Sequence, residues 1–174
     1  ALTPTQIGAL ESRDVAFLSS TNIEALSSIQ LRALKIEQLN GLTTAQMLSL
    51  TNASISKLTQ MQWNSLSGAQ INALSVGTLG ALTTVQIASL LANQIANLNS
   101  VALSNIGSSN VAALTTSQVA SLTTQQMVNL TTTTFKALTI PQVAALETRD
   151  LAVLGSINVA ALSSGQLKAL NTAQ

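Results

Sequence analysis

The chain has 174 residues, 47% of them hydrophobic and only 7% charged, and carries a net charge of +1; an ordinary soluble domain has about 25% charged residues. Seven Lys and Arg against six Asp and Glu form no basic cluster to neutralise phosphates, which argues against a nucleic-acid partner. With no Cys and no His, disulfides, Cys-ligated metals and the usual nucleophile–base pairs are ruled out, and no apolar run is long enough to span a bilayer.

From the first residue the chain counts in eights: small residue, Leu, Ser/Thr, any, any, Gln, aliphatic, any. "ALTPTQIG", "GLTTAQML", "ALTTVQIA" and "ALTTSQVA" are four copies. The second position is Leu from Leu2 to Leu170, with Ile106 the one substitute, and no insertion or deletion breaks the register. Fixed-period self-similarity marks a stack of identical units, each in contact mainly with its neighbours. Residues 1–174 therefore read as one continuous octapeptide-repeat array.

One long helix does not fit, because Leu2 and Ile7 would lie about 140° apart and each octad would turn the pair by a further 80° or so. One long strand does not fit either, because residues five apart face opposite sides. A short capped helix in each octad does fit. In the first, Leu2 is N′, Thr3 the N-cap, Pro4 N1, Gln6 N3 and Ile7 N4. This is a capping box, Ser/Thr-x-x-Gln, with a hydrophobic staple between Leu2 and Ile7.

The following octads vary the scheme without leaving it. Glu11 and Asp14 take the cap and N3 positions, with Arg13 between them, and Asn22 is at N3. Trp63 takes the aliphatic slot. Asn99 and Gly107 fall at caps, Asn110 at N3, and Phe135 again in the aliphatic slot. Pro141 falls at N2, where, as for Pro4 at N1, a missing N–H costs nothing. Glu147, Arg149 and Asp150 repeat the earlier charged trio. Gly155 and Asn171 are caps and Asn158 is at N3. The predicted fold class is an all-α solenoid of very short capped helices, one per octad. A β-solenoid with Thr-bearing turns is the alternative, favoured by Thr, Ile and Val and opposed by Ala, Leu and Gln.

A longer period overlies the octads. "ALESRDVAFLSSTNIEALSSIQLRAL" reappears as "ALETRDLAVLGSINVAALSSGQLKAL", so residues 1–38 match 137–174 at a shift of 136 residues, or seventeen octads. Rare residues recur in order, Glu11 with Glu147, Arg13 with Arg149, Asp14 with Asp150 and Arg32 with Lys168. The expectation is a segment of a longer chain with a 136-residue super-repeat, arising from tandem duplication or from closure of a structural unit.

"GLTTAQMLSLT", "ALTTVQIASL" and "ALTTSQVASLTTQQM" resemble the LTTxQIxAL octapeptide tracts of large bacterial secreted or surface proteins, often labelled haem-utilisation or adhesion proteins. That resemblance implies an extracellular or cell-surface, stalk-like or fibrous part. It brings no haem ligands with it: His, Cys and Tyr are absent, and Met47 and Met127 occupy the aliphatic slot. No catalytic, cofactor-binding or metal-binding residue is expected, and no cofactor. The Glu11–Asp14 and Glu147–Asp150 pairs could hold a cation or act as acid and base, but a capping variant explains them more simply.

The expected function is a non-enzymatic structural one: an extracellular filament, sheath or adhesin stalk that stacks and associates with itself. All charges lie in Glu11 to Lys57 and Lys136 to Lys168, and the charge-free stretch between them leaves little to repel a partner. The alternative is a surface- or ice-binding solenoid, suggested by the pairs Thr43-Thr44, Thr83-Thr84, Thr115-Thr116 and Thr123-Thr124.

Overall fold

A computed structural model describes residues 2–174. Within them lie 21 α-helices of four to six residues, one per octad, from Pro4–Ala9 to Ser164–Ala169, and no strand. The all-α reading holds and the β-solenoid does not. Every helix begins at the fourth position of its octad. Thr3, for example, is extended (φ −74°, ψ 159°), its hydroxyl accepts the Gln6 N–H at 3.2 Å, and its own N–H donates to Gln6 Oε1 at 2.8 Å. Pro4 is N1 and Pro141 is N2, as the capping scheme requires. The cap is where β-branched Thr meets its preference for extended backbone, so a Thr-rich chain can be wholly helical between caps.

Helices this short do not persist alone, because nucleation is costly and few residues follow to recover the cost. Stacking supplies the difference. The chain divides into two compact units, Ala1–Leu82 and Thr83–Gln174. In the first, Pro4–Ala9 packs on Ser28–Ala33, Ser12–Phe17 on Ile36–Asn40, and Ser20–Glu24 on Thr44–Ser49. In the second, Ala92–Ala96 packs on Thr116–Ala120, Ser100–Asn105 on Thr124–Asn129, and Ile140–Ala144 on Ser164–Ala169. Within each unit the helices that pack on one another are thus three apart in the chain.

The staple residues form the core. Ile7, Val15, Ile23, Met47, Trp63, Ile87, Phe135 and Val143 are buried, as are Leu34, Leu66, Leu90 and Leu146. Each such side chain contributes roughly 1.5–3 kcal/mol by leaving water. The two halves of a staple serve different neighbours. In the first turn Ile7 and Val15 are covered while Leu2 is exposed; in the last, Leu146 and Leu162 are covered while Val159 and Leu167 are exposed. The Leu of an octad is therefore covered by the turn before it and the aliphatic residue by the turn after.

The first position is small because backbone passes close by. A Cβ on Gly41 would stand 3.2 Å from the Ser12 carbonyl oxygen and 3.3 Å from the Ser12 Cβ. Ser121 uses the same closeness: its hydroxyl donates to the Ala92 carbonyl at 2.9 Å and to the Gln118 carbonyl at 2.7 Å.

One octad bends the rule. Where Ile106 replaces Leu, the preceding helix overruns it (φ −67°, ψ −15°), and the cap Gly107 takes φ +83°, the one positive φ among the described residues. With ψ near 158° this is a region essentially reserved for Gly. Gly107→Thr restores the consensus cap residue, yet it is expected to destabilise the second unit by about 1–3 kcal/mol. Urea unfolding of this variant beside wild type checks it; equal midpoints would mean that the strain is absent.

Candidate functional site: the glutamine joint between turns

The repeated polar constellation of this chain is the N3 glutamine. It is buried at Gln38, Gln46, Gln62, Gln70, Gln118, Gln126, Gln142 and Gln166. Its Oε1 completes the capping box, accepting the N–H of the cap residue: Thr43 to Gln46 at 2.8 Å, Thr59 to Gln62 at 2.9 Å, Thr115 to Gln118 at 2.7 Å. At Lys35 and Leu91 the cap side chain cannot accept, and this half of the box stands alone at 2.7 Å.

The amide nitrogen does something that the sequence pattern did not reveal. Gln38 Nε2 donates to the carbonyls of Ile7 (2.8 Å) and Leu10 (2.7 Å), Gln126 Nε2 to those of Ile95 (2.8 Å) and Leu98 (2.7 Å), and Gln142 Nε2 to those of Val111 (2.9 Å) and Leu114 (2.7 Å). The partners lie 31 and 28 residues back, at the end of a helix and in the linker that follows it. Helix ends leave such carbonyls without an intrahelical partner. One primary amide therefore caps its own helix and ties off the end of a helix in the preceding turn. Only a side chain with an acceptor and a two-proton donor at the same reach can do both, which is why Gln recurs here.

The substitutes at N3 are partial. Thr78 reaches one carbonyl, Leu50, with its hydroxyl at 3.1 Å. Asn110 turns to the nearer Ile106 carbonyl at 2.8 Å, and Asn158 Oδ1 accepts the Thr132 hydroxyl at 3.1 Å. Asp14 and Asp150 accept the N–H of Glu11 and Glu147 at 3.1 Å each, so both acidic pairs are capping variants. Arg13 and Arg149 pair with Glu11 and Glu147 at 2.8 and 2.7 Å. The first trio is exposed; in the second, Asp150 is wholly buried.

Trp63 and Phe135 lie in the core, as the aliphatic slot predicts, and neither offers a face to a ligand. In the Thr pairs the first hydroxyl is occupied: those of Thr43, Thr83, Thr115 and Thr123 accept the N3 N–H at 3.2–3.3 Å. Among the described residues no three acidic side chains gather as metal ligands would, and no helix is long and apolar enough to cross a membrane.

Capped octads, a staple core and an amide joint between turns define an octapeptide-repeat solenoid. The family model for the ALTTAQ repeat matches residues 7–44 and 143–174. The likeness to LTTxQ-type octapeptide tracts read from the sequence is thereby shown over these two segments. Their starts, Ile7 and Val143, are 136 residues apart, the longer period (143 − 7). No curated protein matches the chain.

Proposed function

We propose that this chain is a non-enzymatic structural array, part of an extracellular or cell-surface filament, sheath or adhesin stalk, whose solenoids associate with one another. The observation that carries the proposal is the repetition of the joint. The same amide bridge recurs within each unit, at Gln38, Gln46, Gln62 and Gln70 in the first and at Gln118, Gln126, Gln142 and Gln166 in the second. A nearly charge-free surface neither repels a second copy nor changes much with salt.

Cryo-electron microscopy of the purified chain at high concentration tests the proposal. Ordered filaments or laterally packed rods are the expected result. Monodisperse single particles at every concentration would end the self-associating reading. The surface-binding alternative is weaker, because the first hydroxyl of each Thr pair already caps a helix.

A further inference from the structure

Asp150 is the wrong residue for its place, in an informative way. It stands at N3 of the helix Thr148–Ala152, with side-chain exposure of 0%. Its Oδ2 does what a Gln Oε1 does, accepting the Glu147 N–H at 3.1 Å. Its Oδ1, the other terminus of the side chain, has no hydrogen-bond partner. The nearest cation is Arg149 Nε at 3.8 Å, on a side chain that is 61% exposed and held by Glu147 Oε2 at 2.7 Å.

The joint rule gives the carbonyls that a glutamine at this place would address. Counting back 31 and 28 residues, as from Gln118, Gln126 and Gln142, gives the carbonyls of Val119 and Leu122. Where a glutamine would donate to those two acceptors, an ionised carboxylate brings a third. The preceding turn supplies no relief. The helix packed on Thr148–Ala152 is Thr124–Asn129, and neither it, nor Thr116–Ala120, nor the linker between them contains a charged residue. On its own helix and cap only Glu147 and Arg149 are charged near Asp150.

We propose that Asp150 is a proton-operated latch, whose carboxyl, once protonated at Oδ1, donates into the preceding turn as a glutamine amide does and, once ionised, loosens that joint. Burial, the largest influence, pushes the carboxyl above the ordinary 3.8; the Glu147 N–H and then the Arg149 charge pull it down, and the Glu147 charge pushes it slightly up. For a carboxyl raised in the folded state, the stabilising contribution is full below 3.8 and is lost as pH rises through the folded value. The folded chain then binds the extra proton, and its equilibrium constant for folding falls by up to about tenfold per pH unit across that window.

The test compares wild type with Asp150→Asn, Asp150→Gln and Asp14→Asn, the last changing the exposed equivalent. Urea unfolding of each variant from pH 3.5 to 7.5, and a carbon-13 NMR titration of the wild-type Asp150 carboxyl, give the readouts. The expected results are an Asp150 titration midpoint above 3.8, and a wild-type midpoint in urea that drops with rising pH relative to both Asp150 variants. Asp14→Asn should track wild type. An Asp150 that titrates at or below 3.8, or Asp150 variants with the same pH slope as wild type, would overturn the latch. The titration on unmodified protein decides the matter even if a variant fails to fold.

Discussion

Gln118→Glu should destabilise the second unit by about 3–5 kcal/mol at neutral pH, more than most single substitutions. Gln118 is buried, its Oε1 accepts the Thr115 N–H at 2.7 Å, and its Nε2 donates to the Ile87 and Leu90 carbonyls at 3.0 and 2.6 Å. Glutamate keeps the shape and the cap acceptor, so the cap survives. What changes is the other terminus: two donated bonds vanish, and a buried anion faces two carbonyl oxygens. Gln118→Met removes the same bonds without the charge and should cost less, about 1–3 kcal/mol for polar groups left without partners. Acid should narrow the gap, because a protonated glutamate regains one donor. Denaturant titrations at pH 7 and pH 4 would check this. Equal losses for both variants at both pH values would show that the amide nitrogen is not what joins the turns.

Trp63→Ala should cost about 3–5 kcal/mol, by loss of buried area together with the cavity left behind. The indole occupies a slot filled elsewhere by Ile7, Val15 or Leu39, and is 2% exposed. Trp63→Leu, which returns the slot to a size the repeat already uses, should cost distinctly less. Phe17→Ala is the natural control, since Phe17 is 89% exposed and should change stability by less than about 0.5 kcal/mol. Hydrogen exchange should show the Trp63→Ala loss concentrated in Ala1–Leu82, as expected of an array in which each unit contacts its neighbours.

The local half of this architecture was legible before any coordinates. Cap chemistry acts within four residues, so Thr3, Pro4, Gln6 and Ile7 announce a helix start by their types and order alone, and the same reading placed Pro141, Trp63 and Phe135 correctly. The long-range half was not legible. A glutamine that satisfies a capping box gives no sign that its second terminus is needed 28 to 31 residues away. Nor does an octad pattern say that helices stack on every third neighbour. Asp14 and Asp150 show the limit plainly. They occupy the same place in near-identical strings, yet one is exposed and the other fully enclosed, because enclosure depends on what lies against the turn and not on the octad itself. Gly107 likewise looked like an ordinary cap, and only its backbone angles explain why no hydroxyl stands there.

The bridging bond joins a side chain on one level to main-chain oxygens on another, and a main-chain oxygen is the same whatever residue bears it. Half of every such bond between levels is thus anonymous. If eight residues were added or lost by slippage during replication, each glutamine whose joint spans the change would meet a different octad and find the same pair of acceptors waiting. Such a chain can change its length in steps of eight without rewriting the rest, whereas a change of seven or nine would misplace every amide whose joint spans it.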